Sequence, residues 1–327
     1  MAVDARRRAA LVVAGLAVVY VVWGSTYLGI AVAIETLPPL LMAGARFVVA
    51  GAVLYAAARL VGGGRQARLD RSQWGAAALS GILMLAVGNG GVSWAEQTVP
   101  SGIAAIVIAS IPLWVVVLDR LAFGARLSWV ATVGVAVGFA GVAFLVNPAA
   151  PDRIDPAGGV VLLLAAAGWA TGTLLSRGQR LTVPPLLGAG MQMLCGGVAL
   201  LVAGALAGEL GEVQAPSWRS ALALAYLVVF GSLLAFSAYV WLLRNARVSL
   251  VATYAYVNPV VAVLLGWAFL DEAVTSRTLV AGGVILGAVA LIVSARPARG
   301  PAPARPSRRA RLRSAGRSRA AAATRGR

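Results

Sequence analysis

One pattern of apolar stretches runs through the chain twice. Trp23, Pro38, Pro39 and Arg46 recur as Trp169, Pro184, Pro185 and Gln192 at an offset of 146, and residues 112–128 recur as 259–275 at an offset of 147. Each copy holds five apolar stretches, at 9–30, 40–58, 74–95, 101–118 and 128–146, then at 157–175, 184–207, 220–243, 249–269 and 278–295. Stretches of about 20 residues cross a hydrocarbon core of roughly 30 Å as helices. Only helices and closed barrels satisfy every backbone polar group there. Five is odd, so the second copy enters the bilayer from the opposite side. The expectation is an all-α integral membrane protein: ten transmembrane helices as two inverted five-helix repeats at 9–147 and 157–295. An external linker at 148–156 joins them, a short cytoplasmic segment (1–8) precedes them and a tail (296–327) follows. Inverted repeats with helix breaks near the midplane point to a secondary transporter.

Composition narrows the alternatives. The chain is 60% hydrophobic and 12% charged, far too apolar for a soluble domain of 327 residues. It has no His, no Lys and one cysteine, Cys195. Zinc sites and His-based nucleophile pairs are excluded, so no metal or cofactor is expected. A membrane-embedded enzyme would need clustered carboxylates or His at the membrane face, and the sequence offers none. The net charge of +17 is misleading as a global figure, because eleven of 28 arginines lie in 296–327. That Arg-, Ala- and Pro-rich tail has no apolar period and reads as a disordered cytoplasmic segment that touches anionic lipid headgroups rather than nucleic acid.

The arginines also orient the spans. With the N-terminus inside, 24 of the 28 fall in inside segments, and only Arg153, Arg219 and Arg277 fall in outside loops. This bias predicts both termini cytoplasmic in a multi-pass cell-membrane protein. Glu35, Glu96, Asp152, Asp155, Glu209, Glu212, Asp271 and Glu272 gather at the outer ends. Arg6–Arg8 before an apolar run, with Ala31-Val32-Ala33 behind it, imitates a signal peptide. Its run is longer than a signal core, and cleavage would delete the counterpart of span 6.

Several motifs carry a family resemblance: Trp23-Gly24-Ser25-Thr26, Ala43-Gly44-Ala45-Arg46-Phe47, and Trp94 to Ser101 leading into Ile111-Pro112. The second half adds Val248 to Thr253, Val257-Asn258-Pro259 and Phe269-Leu270-Asp271-Glu272. In their order and repetition these resemble EamA-type carriers of the drug/metabolite transporter superfamily. The resemblance implies ten helices around a central pocket, alternating access, and export of amino acids or other small metabolites. An importer or a multidrug-type carrier of the same fold is the alternative, followed by a non-transporting scaffold. The chain departs from the family at one acidic position, kept as Glu272 in the second copy and replaced by Ala125 in the first.

Arg46 is the sharpest single signal. It lies about seven residues into span 2, roughly 10 Å from the outer end. A charge there faces a polar cavity or a partner. It either binds a substrate carboxylate through paired hydrogen bonds or pins span 2 to a neighbour, with Glu96 as the expected partner. Its counterpart Gln192 is uncharged, which makes the pocket lopsided. Glu96 is the candidate for proton coupling if buried. The sequence leans to an ordinary interface carboxylate. Pro112 and Pro259 are expected to kink their spans near the middle. Asn89 and Asn258 either line the pocket or bridge helices. Trp23, Ser25, Thr26, Trp169, Thr171, Thr173, Tyr254 and Tyr256 are the further candidates for its wall. Gly134-x-x-x-Gly138 and Gly283-x-x-x-Gly287 allow close helix approach, either inside the molecule or at a homodimer seam.

Overall fold

The computed structural model describes residues 2–61, 69–124, 127–147, 154–178 and 183–294. Ala125, most of the linker and the Arg-rich tail lie outside them. The described residues form helices and no strand. In chain order the helices are α1 (Ala2–Ala33), α2 (Pro39–Val61), α3 (Arg71–Ala95), α4 (Ser101–Ala122), α5 (Trp129–Val146), α6 (Pro156–Gly178), α7 (Pro185–Leu206), α8 (Trp218–Asn245), α9 (Tyr254–Phe269) and α10 (Ser276–Ser294). Nine are long and apolar enough to cross a membrane, and α9 is a shorter apolar helix. The chain is thus an all-α, multi-pass integral membrane protein.

Local chemistry sets the helix ends. The side chains of Asp70, Ser128 and Ser217 accept the backbone N–H of Gln73, Ala131 and Ser220, satisfying donors that a first turn leaves open. Past α4, Gly124 takes φ 67°, a left-handed turn that glycine adopts without cost.

Four interruptions break the regularity of the helices. Helices α3 and α8 each contain a π-helical segment, Ile82–Asn89 and Leu227–Leu234, at an offset of 145. Helix α4 breaks at Ala109–Ser110 and resumes at Ile111. Pro112 therefore sits in the first turn of the resumed helix, where its missing N–H costs nothing. The break lies in the turn just before Pro112, where a proline within a span disrupts the helix. The span expected at 249–269 is likewise two pieces, a single turn Val248–Val251 and α9. Pro259 lies inside α9, while the break falls earlier, at Ala252–Thr253. The two breaks are thus not at matched positions.

Equivalent helices of the two halves pack on each other, α2 on α7 and α5 on α10. The α2–α7 crossing rests on four glycines at matched spacing: Gly44 and Gly51 on α2, Gly190 and Gly197 on α7. A Cβ on Gly190 would lie 2.7 Å from the backbone nitrogen of Tyr55, and one on Gly197 2.7 Å from that of Val48. The α5–α10 pair is lopsided. Gly134 faces Ile292 and Ala288 of α10, and Gly138 faces Leu113 of α4 and Ala288, whereas Gly283 and Gly287 have open space around them.

Candidate functional site

Arg46 is built into the interior. It sits two turns into α2 and is 5% exposed. Its Nε donates to the Ser232 hydroxyl at 2.9 Å, and its guanidinium lies 4.8 Å from the Phe47 ring centroid. Gly231, in the π segment of α8, leaves room for this approach. A side chain on Gly231 would put its Cβ 3.1 Å from a terminal nitrogen of Arg46 and 3.0 Å from Thr26. The Gly231 carbonyl accepts from the Trp23 indole at 3.1 Å. One short stretch of α8 therefore holds both α1 and α2.

Around this point α1, α8 and α9 supply aromatic rings. Trp23 lies 5.1 Å from Tyr239 and 5.2 Å from Tyr254 between centroids, and Tyr239 lies 5.8 Å from Tyr254. All three are half-buried. Edge-on and tilted contacts at these distances suit the ring quadrupoles. The Ser25 hydroxyl meets the Tyr226 hydroxyl at 2.6 Å and also bonds carbonyls of its own helix. Thr26 donates to the Trp23 carbonyl at 2.6 Å. Asn258 is buried, and its amide, oriented to satisfy its surroundings, donates to the carbonyls of Tyr20 (3.3 Å) and Tyr254 (3.2 Å). The Tyr20 hydroxyl and Thr253 are hydrogen-bonded beside it. In this structure Asn258 bridges α1 and α9.

Glu96 departs from expectation twice. It is 8% exposed rather than an interface carboxylate, and neither carboxylate oxygen has a hydrogen-bond partner. Arg46 bonds Ser232 in its place. Glu96 still lies within Coulombic reach of Arg46, Glu272 and Tyr27.

The counterparts in the other half form a separate group. The Gln192 side chain donates to Ser80 at 2.8 Å, just ahead of the α3 π segment. Trp169 packs over Gly88, where a Cβ would lie 2.9 Å from its ring. Thr171 and Thr173 spend their hydroxyls on carbonyls of their own helix. Asn89 ends the π segment half-buried, and Tyr256 is half-buried on α9. Phe47 and Trp169 share one apolar cluster, which joins the two groups. A cavity of about 460 Å³ between α4, α5 and α6 is lined by Trp114, Phe139, Val142, Ala143, Val146, Asn147 and Leu163, and contains none of these candidates. Among the described residues no cluster of Cys, Asp or Glu could hold a metal ion.

Ser232, Gly231 and Tyr239 escaped sequence reasoning. The signal for the first two was a Gly-Ser pair within a long apolar run; Tyr239 carried none beyond its ring.

The profile of the EamA-like transporter family matches residues 10–147 and again 156–294. The uncharacterized inner membrane transporter YedA of Escherichia coli (strain K12) is 43% identical over 275 residues, 84% of this chain and 87% of its own length. Protein PecM of Dickeya dadantii is 30% identical over 278 residues, 83% of this chain and 88% of its own. A solved crystal structure superposes with a TM-score of 0.60 at 23% identity, covering 86% of this chain and 97% of that one, which supports the fold alone.

Proposed function

Because the chain belongs to the EamA-like transporter family, we propose that it moves a small anionic or zwitterionic metabolite by alternating access, with export of amino acids or related compounds as its role. In this reading the halves are inverted repeats at 9–147 and 157–295, both termini are cytoplasmic, and the Arg-rich tail rests on anionic headgroups. The carrying observation is Arg46. It is buried and held by one hydrogen bond through Nε, and among the described residues nothing accepts from its terminal nitrogens. Those two nitrogens form the fork that takes a carboxylate through parallel hydrogen bonds. A buried cation with donors to spare is costly in a membrane unless a ligand or water meets it.

Glu96 is the second pole. Its orphaned oxygens suit a substrate ammonium or a transported proton, and the rings of Trp23, Tyr239 and Tyr254 suit the apolar part of the substrate. A carrier of lipophilic cations is disfavoured, because Arg46 would repel its substrate.

Arg46→Ala should abolish transport while insertion is unchanged, and Arg46→Lys should recover only a fraction, since a point charge does not reproduce the fork. Normal uptake kinetics in the Ala variant would remove Arg46 from the binding site.

A further inference from the structure

Two glutamates of the second half cap helices of the first. Glu209, 6% exposed in the loop after α7, accepts the backbone N–H groups of Leu40 (3.1 Å) and Leu41 (2.9 Å) at the start of α2. Glu272, in the loop after α9, accepts those of Ser101 (2.6 Å) and Gly102 (3.0 Å) at the start of α4. Each carboxylate uses both oxygens on two open donors of a first turn, where the helix dipole also favours negative charge. Each is admitted by a glycine: a Cβ on Gly204 would lie 3.0 Å from the Glu209 carboxylate, and one on Gly266 2.8 Å from Glu272 Cδ.

The repeat makes the opposite end a built-in comparison. At offsets of 145 to 147 from Glu209 the sequence reads Gly64, Gly63 and Gly62, and at 147 from Glu272 it reads Ala125. The admitting glycines are replaced too, Gly204 by Ala58 and Gly266 by Asp119. The first half thus supplies neither carboxylate to the starts of α7 and the Val248–Val251 turn. In an inverted repeat the two membrane ends are mirror images, so any interaction present at one end alone makes the two access states unequal.

We propose that Glu209 and Glu272 form a one-sided latch: they hold the halves together at their own end, the outer end of the proposed topology, and bias the resting carrier toward the state open to the cytoplasm. Opening outward separates α2 and α4 from the loops after α7 and α9 and uncovers four backbone donors. Charge-assisted bonds of this kind shift such an equilibrium roughly tenfold per carboxylate. The proposal rests on the alternating-access reading. It adds which state is favoured and which residues favour it.

The test is a distance measurement between spin labels in full-length protein in proteoliposomes, with Cys195→Ser as background. One label pair replaces Gln97 and Leu210 at the latched end, and the other replaces Leu121 and Arg247 at the opposite end; all four are exposed. The unaltered latch should give a short distance at the Gln97–Leu210 pair. Glu209→Gln with Glu272→Gln, which keeps side-chain volume, should populate a longer distance there and a shorter one at Leu121–Arg247. Gly63→Glu with Ala125→Glu, introduced into the otherwise native chain, should move the populations in the same direction, toward the state closed at Leu121–Arg247, a gain that cannot arise from misfolding. If both states are seen but their ratio ignores all four substitutions, the latch is overturned. If a single distance persists at both ends in every variant and with a panel of amino acids and small organic acids added, the alternating-access reading fails and the latch with it.

Discussion

A guanidinium within a transmembrane span costs about 3 kcal/mol or more unless its donors are met. Arg46 meets that cost in part, through Ser232 and the face of Phe47. Ser232→Ala should leave Nε without an acceptor, at about 1–3 kcal/mol, and raise the half-saturation concentration by roughly tenfold with maximal rate little changed. Saturation curves on the reconstituted variant check this, and an unchanged value would mean that Ser232 does not position the guanidinium. Arg46 itself was legible in the sequence, because a charge in an apolar run announces a role. Its partner was not. Glu96 was the expected neighbour, since both fall near the outer ends of adjacent spans, yet Arg46 bonds Ser232 in the π segment of α8. The burial of Glu96 was equally hidden, because its place at the end of a span says nothing about which way it faces.

At the scale of elements, the apolar periods and the two proline-led starts located the helices well. What they could not show is where the helices lose regularity. A π segment needs no proline and leaves no periodic trace over eight residues, so Ile82–Asn89 and Leu227–Leu234 read as ordinary helix. The prolines were informative in part: the break in α4 falls just before Pro112, whereas Pro259 lies inside α9 and the break there comes earlier, at Ala252–Thr253. Glycine spacing was only half informative. The x-x-x motif on α10 faces open space, and the close crossing is made by glycines seven apart on α2 and α7. Gly190→Leu should therefore force the helices apart and destabilise the fold by about 1–3 kcal/mol or more, seen as a lower thermal midpoint in detergent. Gly283→Leu, with nothing within 4 Å of its Cβ position, should leave the midpoint unchanged. Equal effects of the two substitutions would contradict the packing.

The whole molecule combines a duplicated helical scaffold, one buried cation beside aromatic rings, and a carboxylate left without a hydrogen-bond partner. The scaffold's pseudo-symmetry is broken twice, at Arg46 against Gln192 and at the glutamate caps against Gly63 and Ala125. In the proposed reading the first break supplies a charged pole for a substrate, and the second makes the two access states unequal. Neither break follows from the fold, and both rest on residues that can be changed one at a time. The most direct measurement is counterflow in proteoliposomes with a panel of labelled amino acids and small organic acids, run on the native chain and on Arg46→Ala. Counterflow needs no coupling gradient, so it reads the site itself. Uptake of at least one carboxylate-bearing compound by the native chain, absent from Arg46→Ala, is the expected result. Uptake confined to compounds without a carboxylate, or undiminished in Arg46→Ala, would contradict the assignment of Arg46 as the substrate-binding cation.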